Sequence, residues 1–339
     1  MTDAPKPERR WFQYSLRTLM IFVTLCAFAC SWFAVKMQQA RKQREAVAAF
    51  QKLGGSARYD FQPDGMPQQE PSGPAWLRRL LGDDFFSDTA ELYLGKSRVT
   101  DADLRHLKEL PKLTKLILGR TQVTDAGLGE LEGLTRLEEL WLDDTRVTDA
   151  GLAHLKTLAQ LQVLWLMRTH VTDAGLSHLK GLSQLRVLHL YNTDVGDDGL
   201  KPIKGLNQLQ QLTLNKTRVN DAGLENLMEL SRLEELWLND TRVTDAGLEH
   251  IKALSRLESL SLNKTRVTDA GLKKLEGLTQ LGHLGLENTG ITDAGLEHLK
   301  KLTKLHHVYL ANTNVTDKGA KDLQRALPNC RIERRRSIW

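Results

Sequence analysis

The chain has 339 residues, more than one compact core usually holds, with 47 lysines and arginines against 42 aspartates and glutamates, net +5. Residues 1–58 carry ten basic side chains against Asp3, Glu8 and Glu45, and residues 325–339 carry five arginines against Glu333. The stretch between is therefore net acidic and lacks the basic face a nucleic-acid-binding body needs, while three cysteines, two of them (Cys26 and Cys30) in an apolar run, exclude a disulfide framework.

Residues 1–18 form a basic tail. Residues 19–35, from Leu19 to Val35, contain no charge. As a helix they reach roughly 25 Å, just short of a bilayer's hydrocarbon core. Trp11, Tyr14 and Trp32 supply interfacial aromatics, and Arg17 and Lys36 bracket the run with side chains long enough to snorkel. Ala27-Phe28-Ala29 has the small-x-small form of a signal cleavage site, and Cys30 after it faintly has the form of a lipoprotein box. The bulky Ser31-Trp32-Phe33-Ala34-Val35 that follows argues for an uncleaved single-pass signal anchor. Lys6, Arg9, Arg10 and Arg17 stand before the span and Lys36, Arg41, Lys42, Arg44 and Lys52 after it, a balance that does not fix orientation. One early span behind a short tail is the simplest route to an exported C-terminal part, so the repeats are expected on the exported side.

Residues 36–55 read as a juxtamembrane helix that continues the span and stops at Gly54-Gly55, and they offer a route to weak self-association. Residues 56–73 read as a proline-rich linker with one short strand at Arg58–Phe61. Residues 74–89 hold Trp76, Leu77, Leu80, Leu81, Phe85 and Phe86 and read as an N-terminal lid.

Residues 90–332 are one unit repeated. An aspartate recurs at 101, 125, 149, 173, 197, 221, 245, 269, 293 and 317, a step of 24 without insertion. In the unit starting at Leu137, the alternation at Leu140 and Leu142 marks a short strand with one buried face. Thr148 then sits as a helix N-cap with Val147 and Leu152 as a hydrophobic staple, and Asp149 lies in the first helical turn. Leu152, Leu155 and Leu158 continue at helical spacing, so each unit is strand, turn and about two helical turns. A lone unit buries too little to fold, whereas stacked units share their faces. Strands pack about 4.8 Å apart and helices about 8–10 Å apart, which bends the stack with its strands inside the arc. The fold class is α/β: a right-handed curved solenoid of about ten units behind one transmembrane helix. Leu323, Leu327 and Ile332 are expected to close its far end, before a basic tail at 333–339.

The third, fifth and seventh positions of each unit point into the arc. The fifth column reads Tyr93, Ile117, Trp141, Trp165, His189, Thr213, Trp237, Ser261, Gly285, Tyr309, and the seventh adds Asp143, Met167 and Tyr191. Every tryptophan and tyrosine between residues 90 and 330 lies in these two columns. Aromatics favour strands in general. A solvated concave face needs none, however, and amphipathic rings there suit partner binding. The expected partner-binding residues are Tyr93, Trp141, Asp143, Trp165, Met167, His189, Tyr191, Trp237 and Tyr309. The partner is a protein of unknown identity, or a glycan, since tryptophans also stack on sugar rings.

The aligned aspartates are read as charges on helix N-termini rather than a cation ladder, and the threonines at 121, 145, 169 and onward as hydrogen-bonding neighbouring turns. The histidines at 106, 154, 178, 250 and 298 are read as a solvated outer column. His283 and His307 are concave neighbours that lack a third ligand for zinc. No cofactor is implied. No nucleophile elbow, zinc helix motif, P-loop or dinucleotide glycine signature occurs, which argues against an enzyme. In Val195-Gly196-Asp197-Asp198-Gly199-Leu200-Lys201-Pro202 the proline predicts a short or irregular convex element.

The ten copies of L-x-x-L-x-L-x-x-T-x-V-T-D-A-G-L resemble the leucine-rich repeat superfamily, nearest the ribonuclease-inhibitor-like and F-box-associated subtypes. Tyr14-Ser15-Leu16-Arg17-Thr18-Leu19 leading into the span resembles a bacterial group of membrane-anchored leucine-rich repeat proteins. The resemblance implies protein–protein interaction through the concave face. It also brings in a role as enzyme inhibitor or ubiquitin-ligase substrate receptor, although nothing before residue 74 has the form of an F-box.

Overall fold

The computed structural model describes residues 16–62 and 71–334. Lys6, Arg9, Arg10, Trp11, Tyr14, Pro63, Pro67, Arg335 and Arg336 lie outside the described residues. A 37-residue helix, α1 (Leu16–Lys52), opens the structure. It ends at Gly54, whose φ of +96° is natural for glycine and strained for other residues. Residues 16–35 are exposed on every side, whereas Ala40, Gln43, Ala46, Val47 and Phe50 are buried. The apolar run and the predicted juxtamembrane helix are thus one rod, and its far half packs on the protein.

The strands β1 (Ser56–Tyr59), β2 (Thr89–Tyr93), β3 (Lys115–Ile117), β4 (Glu139–Trp141), β5 (Val163–Trp165), β6 (Val187–His189), β7 (Gln211–Thr213), β8 (Glu235–Trp237), β9 (Ser259–Ser261), β10 (His283–Gly285), β11 (His307–Tyr309) and β12 (Arg331–Glu333) form one sheet in sequence order. From β2 onward neighbouring pairs are parallel and in register, Trp141 beside Trp165 and Trp165 beside His189. β1 pairs antiparallel with β2. Between β2 and β12 each strand returns through a short convex segment, in most units one α-turn such as Asp149–Leu152 followed by a 3-10 turn such as Ala153–Thr157. Leu140, Leu142, Val147, Leu152, Leu155 and Leu158 of that unit are fully buried, as the spacing predicts.

At the first repeat the lid differs from the sequence expectation. A short helix, α2 (Ala75–Leu81), buries none of its side chains. The edge of the stack is covered instead by Ala46, Val47 and Phe50 of α1, with Phe85 buried nearby. Buried Gln43 acts as a bracket: its amide donates to the Ser87 carbonyl at 3.0 Å, and its oxygen accepts from the Thr89 amide at 3.2 Å. At the far end Leu323 and Leu327 are buried and Ile332 packs on the core, as expected.

The units are joined by a clamp the sequence does not display. Asp125 accepts the Thr148 amide at 2.7 Å on one oxygen and the Thr148 hydroxyl at 2.6 Å on the other. The same Thr148 hydroxyl accepts from the Ala150 amide as N-cap. Each aspartate therefore ties its own convex turn to the N-cap of the next. The pattern repeats from Asp149 to Thr172, Asp221 to Thr244, Asp245 to Thr268, Asp269 to Thr292 and Asp293 to Thr316. It also explains the recurring glycine: a Cβ on Gly151 would sit 2.4 Å from Asp125 Oδ1. The threonine ladder is likewise more local than expected. Thr145 donates to the carbonyl of Leu142 in its own unit at 2.6 Å, and Thr121, Thr169 and Thr217 act alike.

The unit containing Pro202 is irregular, as the sequence predicts. Its convex side has only 3-10 turns, Asp198–Leu200 and Pro202–Gly205. Gly196 replaces the capping threonine, so Asp173 keeps the backbone contact alone, at 2.5 Å. A Cβ on Gly196 would meet nothing nearer than Asp173 Oδ2 at 3.3 Å. Gly196→Thr is therefore expected to restore the missing hydroxyl bond and raise the local opening free energy of residues 195–206 by about 1 kcal/mol. Native-state hydrogen exchange checks this, and unchanged or lowered protection would contradict it.

Candidate binding face on the strands

The residues of the fifth column project from the sheet at the register spacing, so rings on adjacent strands meet face to face. Trp141 and Trp165 stack with centroids 3.9 Å apart and planes 4° from parallel. Trp165 meets His189 edge-on at 4.9 Å, and His189 meets Trp237 at 5.9 Å across the smaller Thr213. Four of the predicted residues thus form one continuous ridge over β4 to β8. The tryptophans are half-buried, and His189 is buried, with Nδ1 2.6 Å from the Thr213 hydroxyl. Burial pulls the His189 pKa down to about 4, so the ring is neutral near pH 7 and acts as part of the stack. The Nε1 atoms of Trp141 and Trp165 are buried without a hydrogen-bond partner, so the outward surface of this stacked pair does not present its indole donors.

Cations flank the rings. Lys115 lies 5.6 Å from the Trp141 centroid and pairs with Glu139 at 2.9 Å. Tyr191 is approached by Arg168 at 5.9 Å and Lys216 at 5.4 Å. Arg168 also binds Asp144, whose carboxyl is held below the usual range chiefly by that bond, while burial raises the neighbouring Asp143. Lys115 and Thr213 fall in the third and fifth columns without being among the expected binding residues, and Lys216 lies outside the columns, because only side-chain reach brings them to the ridge.

Met167 and Tyr191 are half-buried in the seventh column beside the ridge. Tyr93 stands apart, separated from Trp141 by Ile117, with its hydroxyl on Glu91 and Arg58 5.5 Å from its ring centre. Tyr309 stands apart at the other end. Between Trp237 and Tyr309 the small Ser261 and Gly285 leave an open cleft of about 720 Å³, edged by Asn263, Glu287 and Lys264. His283 and His307 stack at 5.1 Å with planes 8° apart, a parallel arrangement that does not point both rings at one ion. Among the described residues no group of three or more histidines, cysteines, aspartates or glutamates is placed to hold a metal. The outer histidines are partly exposed, and two of them reach glutamates of the preceding unit, His154 to Glu132 at 2.7 Å and His298 to Glu276 at 2.6 Å.

A stack of strand–turn–helix units with a parallel sheet along one side defines a solenoid scaffold of the leucine-rich repeat class. A family profile described as leucine-rich repeat region matches residues 153–337, more than half of the chain, and the protein belongs to that family. No curated protein matches the chain. Among solved structures it is similar to the mouse RP105/MD-1 complex, at 21% identity and a TM-score of 0.53, covering 65% of this chain and 38% of that one. That likeness is one of fold. Two internalins of Listeria monocytogenes also match. One, internalin F, is 21% identical over 73% of this chain and 87% of its own, with a TM-score of 0.45. The other, internalin C2, is 27% identical over 60% of this chain and 82% of its own, with a TM-score of 0.49.

Proposed function

We propose that the protein is a non-enzymatic, membrane-anchored binding module that seats a protein partner on the strand face, across Trp141, Trp165 and Trp237 with Asp143, Met167 and Tyr191 alongside. One observation carries this reading. The fifth column accepts Thr213, Ser261 and Gly285 in units with the same strand and convex turn, so the fold does not require aromatics there. Four rings nevertheless gather within five successive units, the three tryptophans half-exposed around buried His189, with two indole N–H groups left unpaired at a cost of about 1–3 kcal/mol each. Large tryptophan and tyrosine ring surface with a flanking arginine, here Arg168 beside Tyr191, is the composition of interface hot spots. Tyr93 and Tyr309 would contact the partner only if it spans the whole arc. The glycan reading has less support, because sugars stack on open ring faces and those of Trp141 and Trp165 cover each other. An F-box adaptor role has none in the described part, where residues 16–62 supply one helix and one strand.

The anchor reading rests on the exposed apolar residues 16–35 of α1, long enough and apolar enough to cross a bilayer. The repeats on the exported side and kinship with bacterial membrane-anchored repeat proteins complete the proposal. Photocrosslinking side chains at Met167 and Tyr191, compared with His154 and His250 on the convex side, test the face in native membranes. Adducts with one protein from the first pair alone are expected, and adducts from the convex pair alone would contradict the reading.

A further inference from the structure

Large apolar side chains should not stand in water in a solenoid that buries its leucines so completely. Among the described residues the exposed ones fall on the apolar part of α1, at Trp76 and Leu80 of α2, and at one other position, Met228. Trp76 is 68% exposed and Leu80 72%, and with exposed Arg79 they occupy one face of α2 at helical spacing. Position gives this face its meaning. Phe85, four residues after α2, packs its ring 6.3 Å from Trp32 and 5.4 Å from Phe33, on the last apolar turn of α1 before Lys36. On the other side of α2, Gly73 lies against the Phe86 ring, where a Cβ would meet Cε1 at 2.9 Å. Phe85 and Phe86 are themselves in contact at 5.1 Å. The C-terminal end of α2 is therefore held to α1 at two levels, through Phe85 on Trp32 and Phe33 and through the Leu81 carbonyl, which accepts from Arg44 Nη2 at 3.3 Å, while Gly73 is held through Phe86. Three residues of chain keep Trp76 within about 11 Å of Gly73. The interfacial zone is of comparable depth, and tryptophan, leucine and arginine on one helical face suit it.

We propose that α2 is an interfacial helix, which lays Trp76 and Leu80 into the lipid headgroup layer beside the anchor while Arg79 meets lipid phosphate. This rests on the reading of α1 as a membrane span. With the α1 rod continuous into the first repeat, a second lipid contact fixes the tilt of the solenoid against the membrane. A single span alone would leave the domain free to rotate about it. The occupant is lipid rather than a second protein because Phe85, four residues beyond α2, packs on Trp32 and Phe33 at the end of the exposed apolar run of α1, which places the α2 face beside the anchor.

The test places an environment-sensitive fluorophore on one cysteine of the full-length chain, after replacement of Cys26, Cys30 and Cys330 by alanine. The labelled positions are Trp76→Cys, Leu25→Cys in the span and Met228→Cys on a distant repeat. The protein is reconstituted into phosphatidylcholine vesicles with a minority of phosphatidylglycerol, with and without lipid carrying a nitroxide near the top of the acyl chain. Quenching to less than about half is expected at 25 and 76 and none at 228. Quenching at 25 but not at 76 overturns the inference and leaves the anchor standing. No quenching at 25 overturns both. A label at 76 shielded from water but untouched by the nitroxide points to protein contact and overturns the lipid assignment, as does equal quenching at 228.

Discussion

Asp125→Ala is expected to destabilise the repeat domain by about 2–4 kcal/mol, as is the same change at the other clamp aspartates. The carboxylate makes two charge-assisted bonds to Thr148, at 2.7 and 2.6 Å, and both bridge successive units. Its removal leaves the N-cap of the next convex turn with an unpaired amide. Asp125→Asn keeps an acceptor for that amide and should lose about half as much. A double-mutant cycle with Gly151 makes the expectation specific to the clamp. Gly151→Ala alone should destabilise by about 1–3 kcal/mol, because its Cβ would lie 2.4 Å from Asp125 Oδ1. In the Asp125→Ala background that clash is gone, the nearest remaining contact is the Leu128 methyl at 3.0 Å, and alanine favours the helix. Gly151→Ala should then be neutral or stabilising. Denaturant unfolding of the four proteins measures the coupling, and additive effects would show that aspartate and glycine do not share the site.

Much of the fold is legible in the chain because a step of 24 exposes it. The phase of Leu140 and Leu142, the Thr148 cap, the Val147–Leu152 staple and the irregular turn at Pro202 each follow from residues that are neighbours in sequence. The clamp is not legible. Its aspartate and threonine are 23 positions apart, and only the stacking of units brings them together. The same holds for the turn after each strand, where Lys96, Arg120, Asp144, Arg168, Asn192, Lys216, Asp240, Lys264, Asn288 and Asn312 all take positive φ between 53° and 61°. Only asparagine and aspartate would suggest that conformation from sequence. The lid role of α1 was also hidden, since Gln43 and Phe50 have no counterpart in the repeats to align with.

For the strand face, the sequence places the aromatics correctly on one side and in two columns. It does not show that their rings stack on one another, that His189 is buried among them, or that Ser261 and Gly285 open a cleft beyond Trp237. Column membership is set by a period of two along each strand and of 24 along the chain. Contact along a column depends on side-chain volume in adjacent units, and Thr213 is small enough for Trp237 to reach His189.

Replacing Trp141, Trp165 and Trp237 with serine is expected to weaken binding of the crosslinked partner by at least about 100-fold. Each buried aromatic anchor contributes about 2 kcal/mol or more, and losses at neighbouring anchors overlap rather than add. The ridge is half-exposed and its stacking adds about 0.5–1.5 kcal/mol per pair, so the variant should stay folded. Circular dichroism and an unchanged hydrogen-exchange pattern in the flanking units would establish that. The control is His154→Ser with His250→Ser on the convex side, which should leave affinity within about twofold, as surface changes away from an interface do. Affinity of the full-length protein in vesicles for the purified partner is the measurement. Collapse of binding in the tryptophan variant alone is the expected result, and full affinity in that folded variant would contradict a binding role for the ridge.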